Sequence, residues 1–227
     1  MSRRNENVTA DTSKLSTATI VDAAIAVADD AGIGSLSMRR VAEKLGVGAM
    51  SLYRHVEDKD ALLQAMSTEV GRRFPYPVDT APEWRTRVGI AVDVDWDLYT
   101  RHPWVVLAYS SPRHSYGEDS LACLDWLAAG FLELGVGIER ATDMALSVWS
   151  FVHGVALVAV SDQLLHDDAL LPSAGLAEVI SGESEVEVPS HLARLAGRRD
   201  AGRLLDPRAR LDAGIDYLCL GFAASAV

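Results

Sequence analysis

Residues 37–56, SMRRVAEKLGVGAMSLYRHV, constrain the fold more than any other part of the chain. Two short amphipathic helical patterns occur here, and Gly46 and Gly48 break the spacing between them. The apolar positions that would hold the two helices together are Val41, Ala42, Leu45, Val47, Leu52 and Val56. Short helices joined by a glycine-containing turn cross at a steep angle, and the second fits the major groove of DNA. The segment therefore predicts a helix-turn-helix.

Helical patterns also precede and follow this segment. Ser16 or Thr17 is placed to cap a first helix, which Gly32 ends. Asp58 is placed to cap a helix after the helix-turn-helix, with Asp60 in its first turn, where a negative charge is favourable. The sequence thus predicts a compact helical unit around the helix-turn-helix.

A proline-rich break at residues 75–82 indicates the domain boundary. We expect a flexible polar tail over residues 1–14, a three-helix DNA-binding domain over residues 15–74, and a larger helical domain over residues 82–227. The helices expected in the larger domain cover about 82–101, 103–109, 115–134, 138–163 and 206–224. Residues 166–190 are expected to be a loop with room for one short helix. No long strand-like alternation occurs, so the predicted fold class is all-α.

Charge is distributed unevenly along the chain, whose formal net charge is −11. Residues 1–59 hold eight basic and eight acidic side chains, so the remaining residues carry the whole excess of negative charge. Residues 31–59 hold five basic and three acidic side chains. Binding of phosphates requires local positive charge rather than a basic protein, so the composition permits a DNA contact in this region.

The outward residues around the second helix of the motif are the candidate DNA contacts. They are Gly48, Ala49, Met50, Ser51, Tyr53 and Arg54. Small residues allow close approach of the backbone, and Ala49 or Met50 suits a thymine methyl group. The flanking candidates for phosphate or groove-edge contacts are Ser37, Arg39, His55 and Lys59.

Five motifs in residues 15–70 resemble the TetR family of bacterial transcriptional regulators. They are Gly32-Ile33, Leu36-Ser37-Met38-Arg39, Val41-Ala42-Glu43-Lys44-Leu45-Gly46-Val47, Leu52-Tyr53-Arg54-His55-Val56 and Lys59-Asp60-Ala61-Leu62-Leu63. The resemblance implies a ligand-sensing homodimer that binds operator DNA. It also implies base or phosphate contacts by Arg39, Ala49, Met50, Ser51, Tyr53, His55 and Lys59. With this resemblance, we expect a repressor that a small, largely apolar effector releases from its operator.

The apolar helix within residues 138–163 is the first candidate for a dimer interface. It is apolar on nearly all faces, so it requires cover on all sides, and Gly154 permits close helix approach. The helix within residues 206–224 contains Gly214 and Gly221. The resemblance implies that both helices pack against a second copy, which places two recognition helices ~34 Å apart on a palindromic operator. The alternative is that the first of these helices is the core of a monomer.

Aromatic residues of the second domain are the candidates for an effector pocket. Those that the resemblance places on the enclosing helices are Trp96, Tyr99, Trp104, Trp126, Trp149 and His153. Each also fits an ordinary core position, and His153 also fits a satisfied core histidine. Residues that bind tetracycline and its magnesium ion in the tetracycline repressor subgroup correspond to Pro75, Leu107 and Val158 here. Because these residues cannot hold that chelate, we do not expect it as the effector.

Other classes of protein receive little support. His166-Asp167-Asp168 resembles a fragment of a metal-binding HD motif, but solvated loop residues explain it more simply. The sequence contains no GxSxG motif, no phosphate-cradling glycine loop and no Cys/His pair in a motif, and Cys123 and Cys219 belong to no metal or redox motif. We therefore expect no metal, no cofactor and no enzyme. The apolar stretch at residues 144–160 is shorter than a membrane span, and no signal peptide is visible, so we expect a cytoplasmic protein, nucleoid-associated when bound. The alternative function is a constitutive activator or architectural DNA-binding protein without an effector.

Overall fold

A computed structural model describes residues 15–111, 117–165, 176–183, 187–198 and 200–226. Every regular element in these ranges is helical, which confirms the predicted all-α class. The α-helices are α1 (Thr17–Ala31), α2 (Met38–Leu45), α3 (Ala49–Leu52), α4 (Lys59–Arg73), α5 (Trp84–Arg101), α6 (Trp104–Tyr109), α7 (Glu118–Phe131), α8 (Ile138–Ala159), α9 (Ser161–Leu165), α10 (Leu176–Ser181) and α11 (Pro207–Ser225). Short 3₁₀ helices occupy Ile33–Ser35, Leu132–Leu134, Leu192–Leu195 and Ala201–Leu204. The predicted tail at residues 1–14 and the His166-Asp167-Asp168 motif lie outside the described residues.

The chain divides into two compact units between Met66 and Ser67, within α4. The proline-rich break had placed the boundary later, at residues 75–82. The end of α4 belongs to the second unit because it packs there: the Tyr109 hydroxyl donates to the Ser67 carbonyl at 3.2 Å and lies against Gly71. The predicted limits 15–74 and 82–227 for the functional domains stay a prediction.

The first unit is organised by helix caps and a small apolar core. The Ser16 hydroxyl accepts from the Thr19 amide at 3.2 Å and begins α1, and the Ser37 hydroxyl accepts from the Arg40 amide at 3.2 Å and begins α2. Gly46 ends α2 with a φ of 68°, a left-handed conformation that glycine adopts at little cost. Of the predicted core positions, Val41, Ala42, Leu52 and Val56 are buried, whereas Leu45 and Val47 are half-buried.

The helix that follows the turn is a single helical turn. It ends at Leu52, and the amides of His55 and Val56 both donate to the Leu52 carbonyl, at 2.9 and 3.0 Å. Residues 53–55 form a turn, and Val56, which follows it, is buried in the core.

The second unit is built around α8, which packs against α5, α7 and α11. The residues of α8 that these contacts bury are Ala141, Met144, Ala145, Val148, Val152, Val155 and Ala156. The predicted helix over residues 138–163 is two helices, because Val160 leaves the helical conformation between α8 and α9. The helix predicted over residues 115–134 begins at Glu118 and becomes a 3₁₀ turn after Phe131, which Gly135 ends at a φ of 77°.

Helix α8 is long and apolar enough to cross a membrane by length and composition alone. Some of its apolar residues are not covered by the described part of the chain. Leu157 and Val158 are exposed, and Gly154 beside them is exposed as well. One stripe of α8 therefore packs as a core helix, while another stripe has no cover from the described residues.

Candidate nucleic-acid interface and ligand cavity

The surface around α3 presents the residues that the sequence proposed for base contact. We call it the α3 surface and define it as Gly48, Ala49, Met50, Ser51, Tyr53 and Arg54. Leu52 is fully buried, so its neighbours in this single helical turn face outward. Met50 is 78% exposed and Tyr53 is 46% exposed, so both side chains are available for contact with a partner. The surface therefore offers apolar and hydroxyl groups together.

Local hydrogen bonds fix the α3 surface. The Ser51 amide donates to the Gly48 carbonyl at 2.8 Å, which closes the first turn of α3. The Arg54 guanidinium lies 3.4 Å from the Ser51 hydroxyl. Gly48 and Ala49 leave the start of α3 without bulky side chains, so a ligand as large as a base pair is able to approach its backbone.

Cationic and polar residues flank the α3 surface. Arg54, His55 and Lys59 are exposed. Arg39 is exposed too, and its guanidinium donates to the Glu43 carboxylate at 2.9 Å. An exposed pair of this kind contributes little stability, so Arg39 is able to exchange Glu43 for a phosphate at small cost. The Ser37 hydroxyl accepts the capping bond of α2, so its O–H and the helix N-terminus are both able to donate to a phosphate.

The second unit contains a cavity of about 330 Å³, near the lower end of the range for small-molecule sites. Its wall comes from the end of α4, the segment after it, and α5, α6, α7 and α8. Of the residues proposed for the effector pocket, Tyr99, Trp149 and His153 lie on this wall.

Three of the proposed residues do not lie on the wall, namely Trp96, Trp104 and Trp126. The structure corrects the prediction that they line this cavity. Trp104 is 1% exposed and belongs to the core. The Trp126 indole N–H donates to the Thr80 carbonyl at 2.7 Å, and the Arg87 guanidinium lies over its ring. Trp96 lies off the helical stripe of α5 that faces the cavity, where Asp95 and Tyr99 sit four residues apart.

Asp95 is the cavity residue that the sequence analysis missed. It accepts a hydrogen bond of 2.9 Å from the Tyr76 hydroxyl, and the Trp149 indole N–H donates to the same hydroxyl at 2.8 Å. Burial raises the pKa of the Asp95 carboxyl from 3.8 to about 7, while the bond from Tyr76 opposes that rise. The signal in the sequence is its spacing: Asp95 continues the buried stripe of Val88, Ala91 and Val92.

His153 is hydrogen-bonded from both ring nitrogens. Its Nδ1 lies 3.3 Å from the Tyr99 hydroxyl, and its Nε2 lies 3.3 Å from the Ser110 hydroxyl. Burial lowers the pKa of this imidazole. A neutral ring with one donor and one acceptor nitrogen fits both partners, so His153 is a polar positioning group on the wall rather than a cation.

The tyrosines and the cysteine of the wall favour their neutral forms. Burial raises the pKa of the Tyr99 hydroxyl well above 10 and raises the pKa of the Cys123 thiol. Asp119, at the start of α7, is exposed at the edge of the cavity. Tyr109 and Ser120 add hydroxyls. The cavity is thus aromatic, with hydroxyl groups and carboxylates as its polar groups.

Metal chemistry has no support in the described ranges, where no group of three or more His, Cys, Asp or Glu side chains is placed to hold an ion. The three positions that correspond to tetracycline and magnesium ligands, Pro75, Leu107 and Val158, are exposed and lie off the cavity wall. The cavity is therefore suited to an organic molecule held by aromatic faces and hydrogen bonds.

The sequence profile described as "Bacterial regulatory proteins, tetR family" matches residues 20–66. An HTH-type transcriptional regulator of Saccharopolyspora erythraea is 31% identical over 209 residues, which cover 91% of this chain and 84% of that protein. The HTH-type transcriptional repressor DrrR1 of Streptomyces coeruleorubidus is 42% identical over 138 residues. These residues cover 60% of this chain and about half of DrrR1, 51%.

Solved structures extend the similarity to the fold of both units. The crystal structure of the TetR family protein ActR of Streptomyces coelicolor, in complex with actinorhodin, superposes with a TM-score of 0.70. The two chains are 23% identical, and the superposition covers 94% of this chain and 97% of ActR. At this level of identity, the likeness concerns the fold alone.

Proposed function

The chain belongs to the TetR family of DNA-binding transcriptional regulators, and we propose that it is a homodimeric repressor that a small organic ligand releases from a palindromic operator. The observation that carries the proposal is the α3 surface, where Met50 and Tyr53 are exposed directly beside the buried Leu52. This surface, which the described residues leave open, carries Arg54 and has Lys59 beside it, so it fits a major groove and its phosphates. We infer the repressor role from the relative DrrR1, which is described as a transcriptional repressor.

The proposed contacts divide by chemistry. Ala49, Met50 and Ser51 would contact base edges from the start of α3, with Gly48 allowing close approach. Ser37, Arg39, Tyr53, Arg54, His55 and Lys59 would contact phosphates or the edge of the groove. The first group carries sequence preference in this proposal, and the second group carries affinity and register.

The proposed homodimer uses apolar surface that one copy leaves uncovered. On α11, Tyr217 and Leu220 are 72% and 61% exposed, and they share a face with Gly221. On α8, Leu157 and Val158 share a face with Gly154. We call these six residues the bundle face. Burying it against the same face of a second copy removes an apolar patch from water and produces the two-fold symmetry that a palindrome requires.

Release by a ligand would pass through α4 in this proposal. Gly71 and Phe74, at the end of α4 and just after it, lie on the cavity wall, and Tyr109 holds the Ser67 carbonyl. Lys59 is the first residue of the same helix. A ligand that moves the end of α4 would therefore shift its beginning too, so two recognition helices would no longer match successive grooves.

The test is binding and expression in parallel. The purified full-length protein is expected to protect a palindromic site upstream of its own gene, with half-sites about one helical turn apart. Deletion of the gene is expected to raise expression of a reporter placed behind that site. Lowered expression on deletion would contradict repression and would favour the activator alternative.

A second measurement separates the ligand-responsive repressor from a constitutive DNA-binding protein. A thermal-shift screen of small organic molecules is expected to find compounds that stabilise the protein, and the same compounds are expected to weaken its binding to the operator. Stabilising compounds that leave operator affinity unchanged would contradict release. In this proposal the protein acts in the cytoplasm, bound to the nucleoid, and catalyses no reaction.

A further inference from the structure

We propose that the cavity selects an organic cation, namely a protonated amine on an aromatic body, with Asp95 as its counter-ion. The inference rests on the proposed ligand response and deepens it, because it assigns a charge to the ligand. It follows from the geometry of the carboxylate, from the charges of the wall and from the aromatic rings around both.

The Asp95 carboxylate is incompletely satisfied. Its Oδ2 accepts from the Tyr76 hydroxyl at 2.9 Å, and no side chain or amide of the described residues donates to Oδ1. No lysine or arginine of the described residues pairs with it: the nearby acids Asp93 and Asp97 pair with Arg208 and Arg101 instead. A half-buried carboxylate that opens into an aromatic cavity without a cation is costly, and a ligand that brings a cation recovers that cost.

The described part of the wall is negative. The described lining residues include two carboxylates, Asp95 and Asp119, and no lysine or arginine. The remaining titratable groups that face this space are Tyr76, Tyr99, Tyr109, Cys123 and His153. The pKa values of these tyrosines and of Cys123 are raised and that of His153 is lowered, so all are neutral near pH 8. Among the described lining residues, an anionic ligand would therefore meet only like charge.

Aromatic faces supply the second half of the recognition. Tyr76 and Tyr99 lie beside Asp95, and Trp149 and Phe74 complete the wall. The electron-rich faces of such rings attract ammonium groups, and their area suits an aromatic body. A cavity of about 330 Å³ admits a fused bicyclic ring with a short aminoalkyl arm.

The test compares three probes of one shape in the full-length protein at pH 8. They are 2-(1-naphthyl)ethylamine, which is protonated at this pH, 2-(1-naphthyl)ethanol, which is neutral, and 1-naphthylacetate, which is an anion. Calorimetric titration is expected to show the amine binding about tenfold or more tightly than the alcohol, and the anion binding most weakly. An alcohol that binds as tightly as the amine, a preferred anion, or an amine that does not bind would each overturn the proposal.

Variants assign the effect to the carboxylate. Asp95→Asn keeps the size and an acceptor for Tyr76, and it is expected to bring the amine to the affinity of the alcohol. Asp119→Asn, at the edge of the cavity, is expected to weaken the amine less. Asp125→Asn on the same helix as Asp119 is exposed and off the cavity wall, so it is the matched control and is expected to bind like the wild type. Circular dichroism checks that each variant is folded, and unchanged amine affinity in folded Asp95→Asn would overturn the proposal.

Operator binding is measured on the same samples in the absence of probes. Loss of the preference for the amine with intact operator binding would contradict the cation site and leave the proposed function unaffected. Failure of operator binding with a retained charge preference removes the proposed function and leaves the cation site standing.

Discussion

The hydroxyl of Tyr76 donates a 2.9 Å hydrogen bond to the carboxylate of Asp95, and it joins two parts of the chain nineteen residues apart. Tyr76 also accepts from Trp149, so one hydroxyl connects the segment after α4, the middle of α5 and the middle of α8. A chain of three polar groups, one buried and two half-buried, stabilises one arrangement of the wall, since each group loses its partner if another moves.

Replacement of Asp95 is expected to change how stability depends on pH. The pKa of its carboxyl is about 7 in the folded protein and near 3.8 when unfolded. Between these values the folded state holds a proton that the unfolded state has lost, so stability falls as pH rises towards 7 and is level above it. Asp95→Asn removes this slope and is expected to raise the free energy of unfolding at pH 8 by roughly 1–3 kcal/mol. Urea denaturation at pH 5.5 and 8 measures the free energy of unfolding of both proteins. An equal change in this free energy between the two pH values for both proteins would contradict the prediction.

Removal of the Tyr76 hydroxyl is expected to destabilise the second unit. Tyr76→Phe leaves the Trp149 indole N–H without its acceptor and Asp95 without its donor, and the expected loss is roughly 1–3 kcal/mol. Thr80→Val removes a hydroxyl from an exposed side chain of the same segment, so it is the control. Urea denaturation compares the two, and an equal effect of both substitutions would argue against the chain of three polar groups.

Close packing of α11 on α8 depends on Gly214. A Cβ atom added there would overlap the ring of Phe151, so Gly214→Ala is expected to cost roughly 1–3 kcal/mol in spite of the higher helix propensity of alanine. Gly89→Ala lies in α5 with open space around the position, and it is expected to be neutral or stabilising. A second substitution, Phe151→Leu, is expected to recover part of the loss in Gly214→Ala. Thermal unfolding measures all of these, and a Gly214→Ala variant as stable as Gly89→Ala would contradict the close approach.

Affinity and sequence preference are expected to separate on the DNA-binding unit. Lys59→Ala is expected to weaken binding to every DNA sequence. It is also expected to reduce the slope of log K against log salt concentration by about one unit. Met50→Ala is expected to change the preference among operator variants while leaving that slope in place. Arg194→Ala removes an exposed cation from the second unit and serves as the control. Fluorescence anisotropy at several salt concentrations measures the affinity of each variant for operator variants. Equal loss of sequence preference in Lys59→Ala and Met50→Ala would contradict the division between affinity and preference.

A charge on the bundle face is expected to separate the proposed dimer. Leu220→Asp places a carboxylate in surface that is 61% exposed in one copy and would be buried between two copies. Leu121→Asp changes a comparably exposed leucine on α7 and is expected to leave the dimer intact. Sedimentation velocity gives the masses, and a wild-type monomer, or a Leu220→Asp dimer as stable as the wild type, would contradict the proposed interface.

The sequence alone determined the helical class, the family and the helix-turn-helix. These depend on local signals, because helix caps such as Ser37, a left-handed glycine such as Gly46, and the spacing of Val41 and Leu52 act within a few residues. For the same reason, α8 begins at the predicted residue, and both ends of α11 lie within one residue of the predicted bounds. The length of α3 was less predictable, since it ends where one carbonyl, that of Leu52, accepts two amides.

Only the tertiary structure decided which side chains share the cavity. Aromatic residues at helical spacing fit a core and a pocket equally well, and the rotation of each helix separates Trp149 on the wall from Trp104 in the core. Tyr76 reaches Asp95 because a segment without regular structure folds back over α5, and no local pattern encodes that return. The charge that we assign to the ligand depends on this single long-range contact and on the absence of a described cation beside it.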